Sequence, residues 1–295
     1  MPQPLEQPQH SAPSLFDAAL GQARLRRALK GAPADFLLLR AAEDLTERLS
    51  AVAREFTAIA DILTPRSAFG AAALERNPGA IMRPAAEGQG GDLGLEPERF
   101  DLIVSGLALH HVNDLPGALA QIRRALKPDG LFLGCMAGGA TLTELRQSLG
   151  EAESEITGGV SPRVSPFADV RDAGALLQRA GLALPVADSE AANVTYPHLF
   201  ALMADLRAMG ATNILAERLR RPTRRAVFTL AADIYAQKFP APGGRIRATF
   251  ELVWLSGWAP HESQQKPLRP GSAKTRLAEA LGATEFPAGE KAGGT

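Results

Sequence analysis

Between residues 100 and 134 the hydrophobic period of the chain changes twice. "DLIVSGLAL" is a near-continuous apolar run, as expected of a strand buried on both faces. Leu115, Leu119, Ile122 and Leu126 then recur at helical spacing, with Asn113 or Asp114 as the cap and Pro116 in the first turn. "KPDG" closes that helix as a turn, and "LFLGCM" is a second apolar strand. Strand, helix and strand at this length form a βαβ unit, which implies a parallel sheet.

The flanking pattern extends this architecture. Residues 16–30 and 35–54 read as helices, the first basic and the second more strongly amphipathic. Residues 57–63 predict a short strand ending at "TPRS", and residues 68–75 a short helix, followed by the glycine-rich loop "AEGQGGDLGLEPER". Beyond residue 134, "TLTELRQSLGEAESE" is helical, with Thr141 and Glu144 at the spacing of a capping box. "DVRDAGALLQRAG" and "YPHLFALMADLRAMG" are helices stopped by Gly181 and Gly210. "PTRRAVFTLAADIYAQ" is a further helix, and "RIRATFELVWLSGW" alternates as a late strand. The expected fold is α/β: a doubly wound, mostly parallel sheet with flanking helices and a helical insertion near 140–180 or 195–240. A late antiparallel hairpin would complete the sheet. Residues 1–14 and 283–295 read as a disordered lead and tail, 15–56 as N-terminal helices and 57–282 as the main domain.

Composition narrows the partners. Lysine plus arginine and aspartate plus glutamate number 32 each, so net charge gives no reason to expect nucleic acid or an anionic membrane as main partner. No apolar run reaches the roughly 18 residues of a membrane span. Cys135 is the only cysteine, which excludes an internal disulfide or a multi-cysteine zinc site and suits a reducing cytoplasm. The opening "MPQPLEQPQHSAPS" has neither the basic start nor the apolar stretch of a targeting segment, so a bacterial cytoplasmic location is expected.

Ligands of open α/β sheets sit outside the carboxyl ends of the strands. Ser105, His110 and His111 lie in such a loop and can face a ligand, or pack and cap at the sheet edge. Arg163, between two prolines in "SPRVSPF", can hold a carboxylate or a protein partner, or be an ordinary surface turn. In "GWAPHESQQKPLRPGSA", His261 beside Glu262 offers acid–base chemistry or belongs to a lid that seals the cleft. No spacing among His110, His111, His261 and Glu262 establishes a metal site.

"RFDLIVS", "LHHVNDLPGAL" and "ALKPDGLFLG" follow one another as in the late half of a class I S-adenosyl-L-methionine-dependent methyltransferase, a Rossmann-type fold. "GGATLTELRQSL", "GGVSPRVSPFADVRDAGALLQRAG", "VTYPHLFALMADLRAMGATN" and "WLSGWAPHESQQKPLRPGSA" resemble a subgroup of it. That subgroup is the family of mitochondrial complex I assembly factor 5, an arginine hydroxylase, with its alphaproteobacterial relatives. The malonyl-acyl-carrier-protein O-methyltransferases are also similar. The resemblance covers roughly residues 15–280. It implies S-adenosyl-L-methionine as cofactor, held around Asp61, Leu63, Asp92, Leu93, Ser105, Leu107 and His110. Arg163, His261 and Glu262 remain as candidates near the chemistry, and no metal is implied. It further implies a protein client, a subunit of respiratory NADH dehydrogenase. Two alternatives stand beside this: a cofactor-free assembly scaffold, and a small-molecule or acyl-carrier O-methyltransferase.

One departure from that family matters. Where the family has a glycine-rich loop after its first strand, this chain has Leu63, Thr64, Pro65 and Arg66 behind the retained Asp61. Pro65 has no N–H to donate and a fixed φ. The second strand, in "AIMRPAAEGQGGDLG", shows no clear acid for the ribose hydroxyls. Weakened or lost cofactor binding is therefore an open expectation.

Overall fold

The computed structural model describes residues 14–32, 34–85, 88, 91–265 and 282. The chain divides into two units, residues 1–260 and 261–295, each taken by itself. In the first, helices α1 (Ala18–Ala28) and α2 (Phe36–Ser50) precede β1 (Ala58–Ile62), α3 (Ala68–Arg76) and β2 (Ile81–Ala85). Then come β3 (Phe100–Gly106), α4 (Leu115–Ala125), β4 (Leu126–Ala137), α5 (Thr143–Thr157), α6 (Val170–Arg179) and β5 (Ala183–Tyr196). Helices α7 (Leu199–Ala208) and α8 (Arg225–Lys238), the short β6 (Pro240–Ala241) and β7 (Arg245–Trp258) complete the unit.

The strands form one sheet in the order β2-β1-β3-β4-β7-β5, with β6 added along β7. The first four are mutually parallel, and β7 runs antiparallel to both β4 and β5. This is the expected mostly parallel, Rossmann-like sheet with helices on its faces. The late hairpin is real but opened, because α7 and α8 stand between β5 and β7. Helices thus fill both stretches considered for an insertion.

The period of two along the central strands divides the core. Ile103, Phe132, Met136, Val253 and Leu255 point to one face, against α4 and α6. Leu102, Val104, Leu131, Leu133, Cys135, Leu252 and Trp254 point to the other, against α2 and α3. A third cluster joins α5, α7 and α8 to the far ends of β5 and β7. Burial on both faces explains why "DLIVSG" and "LFLGCM" are apolar throughout rather than alternating.

Two local expectations change, and two strands carry patterns of their own. "KPDG", expected as a turn, lies inside β4, where the pairing with β3 shifts register and Asp129 takes φ 62°. Strand β5 carries Asp188, Ser189 and Glu190 and alternates poorly, so its pattern is that of a loop. Pairing with the whole of β7 makes it a strand all the same, because the ladder bonds are backbone groups. Strand β2 contains Pro84, tolerated at this sheet edge because one side of its backbone has no ladder partner. The capping box does not form. Leu142 precedes α5 at φ 56° without a side-chain cap, while the Glu144 carboxylate accepts from the Thr249 hydroxyl and N–H. Thr141 Oγ1 instead bonds the backbone of Glu251. Both side chains serve β7, whose backbone would otherwise be unpaired there.

At Gly106, the end of β3, an added Cβ would lie 2.6 Å from the Phe69 ring. That ring is fully buried and stacks on Trp254 at 5.8 Å between centroids. Gly106→Ala is expected to cost about 1–3 kcal/mol through overpacking. Urea denaturation checks this, and a smaller residue at position 69 should recover part of the loss.

Candidate functional site

Strand β1 and helix α3 are joined by residues 63–67. The join is short because Asp61 Oδ2 accepts the Gly70 N–H at 2.7 Å, tying the strand end to the first turn of α3. An added Cβ at Gly70 would meet that carboxylate at 3.0 Å, so the approach depends on glycine. To turn in so few residues the backbone takes left-handed φ at Leu63 (61°), Arg66 (56°) and Ser67 (50°). The course is one that glycine adopts freely, here imposed on residues that resist it.

Asp61 and Ser105 lie beneath this loop. Ser105 is fully buried and donates to Ile62 O at 2.9 Å, locking β3 to β1. Thr64 Oγ1 accepts the Gly106 N–H at 2.8 Å, pinning the loop over the end of β3. Asp61 is 2% exposed and its Oδ1 has no hydrogen-bond partner among the described residues. Burial pushes its carboxyl up to about 6, against the downward pull of the nearby Thr64 hydroxyl and the Gly70 N–H.

Above the strand ends is a cavity of about 480 Å³, a size that suits a ligand. Leu63, Pro65, Arg66, Leu107, His110 and Arg163 all line it. Pro65 and its neighbours therefore form part of the wall and do not fill the space. His110 Nδ1 accepts the Ala137 N–H at 3.3 Å, and its ring meets Phe167 edge-on at 5.6 Å. Burial, and secondarily the adjacent His111, holds His110 well below the usual imidazole value. Burial alone lowers His111 to about 4. Both rings are neutral at physiological pH.

The other candidates are placed differently. Arg163 already holds a carboxylate, that of Glu153, through Nε at 2.8 Å and Nη2 at 2.6 Å, and reaches Thr223 at 3.0 Å. That pairing, with help from Ser161, holds Glu153 down at about 2. Asp92 is exposed and spends Oδ1 on the Gly94 N–H at 3.0 Å. Leu93 is buried in the core, its N–H bonded to Gln121. Neither lines the cavity, nor do Asp61 and Ser105. In the second unit His261 Nδ1 lies 2.7 Å from Ser263 Oγ, and His261 and Glu262 are exposed. The part of the expected lid from residue 266 to 273 lies outside the described residues. Among the described residues no group of three or more His, Cys, Asp or Glu is arranged for a metal, and no helix is long and apolar enough to cross a membrane.

Sequence reasoning missed wall elements, among them α1, the start of α2 and β7. Helix α1 and the start of α2 contribute Leu25, Asp35 and Leu38 to the cavity, and β7 contributes Glu251. Glu251 sits in an alternating strand and looks like a solvent-facing position, so no local signal marks it.

A nucleoside sulfonium in this cavity would need both space and polar partners. The cavity's volume and the course of its loop fit. Among the described residues its polar groups do not. Position 65 offers no N–H, and Asp92, whose Oδ1 accepts the Gly94 N–H, does not line the cavity; β2 ends at Ala85, and Glu87 beyond it lies outside the described residues. Among the described residues lining the cavity the carboxylates are Asp35 and Glu251.

Comparison with known proteins agrees with the fold. Residues 39–134 match the family described as methyltransferase domain. The chain is 45% identical over 194 residues to a protein of Dictyostelium discoideum named arginine-hydroxylase NDUFAF5, mitochondrial, covering 65% of this chain and 44% of that protein. The Homo sapiens protein of the same name is 45% identical over 187 residues, 63% of this chain and 54% of that one. A malonyl-[acyl-carrier protein] O-methyltransferase of Xylella fastidiosa (strain M23) is 37% identical over 160 residues, 54% and 52% of the two chains. The chain spans about half the length of these curated relatives.

Asp61 gives the site a pH signature. A carboxyl raised in the fold binds its proton more tightly than in the unfolded chain. Stability therefore falls as pH rises from 3.8 to about 6 and is level above that. Asp61→Asn removes this term. Its stability relative to the parent chain should rise by about 3 kcal/mol between pH 3.5 and pH 7, measured by urea denaturation at both. A difference independent of pH would contradict the burial of a charge at this position.

Proposed function

We propose that this chain, which carries a methyltransferase domain over residues 39–134, acts in the assembly of respiratory NADH dehydrogenase (complex I) by modifying an arginine of a protein subunit. The observation that carries the proposal is the open cavity at the carboxyl rim of the sheet, lined by Leu63, Leu107 and His110 despite the rewritten loop. Identity near 45% to two proteins named as arginine hydroxylases supports the client chemistry. Identity to the acyl-carrier methyltransferases is lower, 37%, which makes methyl transfer to an acyl carrier the lesser reading. We place the protein in the cytoplasm of a bacterium, where Cys135, buried in β4 and with its thiol pushed up in pKa by that burial, stays reduced.

Deleting the gene in the source organism should abolish or strongly lower NADH dehydrogenase activity of its membranes while growth without biotin continues. Biotin dependence with normal NADH oxidation would instead support the acyl-carrier reading. Mass spectrometry of the assembled dehydrogenase should show an arginine carrying a modification that the deletion removes.

A second reading, a scaffold that binds a client without a cofactor, is favoured by the polar misfit of the cavity toward a nucleoside. The same misfit leads us to propose weakened binding of S-adenosyl-L-methionine. Calorimetric titration of the full chain with S-adenosyl-L-methionine and S-adenosylhomocysteine should give dissociation constants weaker than the micromolar range. Pro65→Gly, which restores an N–H and relaxes φ, should tighten both. Micromolar binding by the parent chain would overturn the weakened-binding proposal.

A further inference from the structure

Two buried glutamates find their cations within the chain. Glu153 is paired with Arg163 at 2.6 Å, and Glu144 with Arg247 at 3.3 Å. Glu251, half-buried and lining the cavity, has no cation among the described residues. Its Oε2 accepts the Ala140 N–H at 2.7 Å, and among the described residues no hydrogen bond reaches Oε1. The carboxylate lies across Gly138, where an added Cβ would stand 2.7 Å from Oε2. Ala137 and Thr141, on either side of that glycine turn, both line the cavity. The turn thus makes room for the carboxylate and holds it by one oxygen.

We infer that Glu251 receives the guanidinium of a substrate arginine in the rim cavity, so that the site takes one arginine side chain presented by a protein segment. This rests on the reading of the chain as an arginine-modifying protein. The lining supports a guanidinium over an ammonium. Phe167, Phe228 and Phe250 are among its lining, and on aromatic rings a planar, weakly hydrated guanidinium stacks better than a strongly hydrated lysine head. The cations of the wall do not compete. Arg163 is neutralised by Glu153, while Arg66 and Arg207 are exposed. The two histidines, kept uncharged by burial, add no repulsion.

The test titrates the full-length protein with Nα-acetyl-arginine amide, its citrulline counterpart and Nα-acetyl-lysine amide, followed by NMR. Saturable binding of the arginine probe is expected, with citrulline and lysine at least about tenfold weaker. Glu251→Gln, which keeps an oxygen for the Ala140 N–H, should weaken the arginine probe by about tenfold or more and leave the melting temperature within a few degrees. Equal affinity for arginine and citrulline, or no loss in Glu251→Gln, overturns the inference. Equal binding of lysine overturns its guanidinium selectivity. Gene deletion separates this from the reading on which it rests. If deletion abolishes NADH dehydrogenase assembly and Glu251→Gln restores it fully, the inference fails and the reading stands. If deletion leaves assembly and arginine modification intact while the probe binds through Glu251, the reading fails and the guanidinium site stands.

Discussion

The ring of Phe69 pressed onto the bare backbone of Gly106 sets the position of almost everything at the rim. Only glycine at the end of β3 lets the ring approach so closely. The ring stacks on Trp254 of β7, and the Arg48 guanidinium lies 4.5 Å above the Trp254 ring while gripping Asp188 of β5 through both nitrogens. One continuous stack thus connects α3, the sheet centre, α2 and the far sheet edge. Its buried aromatic area is large, and its cation is satisfied by a carboxylate rather than left in an apolar layer.

With α3 fixed by that stack, the loop before it has little freedom. Asp61 ties β1 to Gly70, Thr64 ties the loop to Gly106, and the remaining residues must turn left-handed. A loop that elsewhere relies on glycine is here held by its anchors. The strain at Leu63, Arg66 and Ser67 is offset by packing on either side. Because the anchors keep the loop down against the strand ends, the space above them stays open. The cavity is a consequence of how the helix docks, and Leu63, Pro65 and Arg66 of the loop form part of its wall.

Charge is distributed in the same spirit. The acids that hold structure, Glu144 and Glu153, are satisfied by arginines and hydroxyls of the chain itself. The imidazoles of the cavity are kept neutral by burial. Glu251 is left with one oxygen unengaged at the wall. A cavity mostly apolar, with Arg163 already paired and with Asp35 and Glu251 as the carboxylates of its described lining, suits the cationic, planar side chain proposed for it.

Much of this fold was legible in the order of residues. The buried βαβ unit, the helices stopped by Gly181 and Gly210, a cap at Asn113 or Asp114, which the structure places at Asp114, and a strand near residues 57–63 follow from periods, caps and turn residues, which act over a few neighbours. A cavity does open at the strand ends, where the sequence placed a ligand, with Leu63, Leu107, His110 and Arg163 among its wall. The loop's departure from glycine was visible too, but not whether Pro65 fills the hollow or borders it. Strand β5 was illegible because its strand state comes from β7, far away in sequence, and not from its own alternation. Glu144 and Thr141 read as a local cap until β7 arrived beside them and took both side chains. The engagement of Arg163 by Glu153 and the exposure of Glu251 to the cavity were decided in the same way. Local chemistry proposes a partner for each polar group, but only the packed sheet brings the competing partners within hydrogen-bond reach and decides which of them is taken.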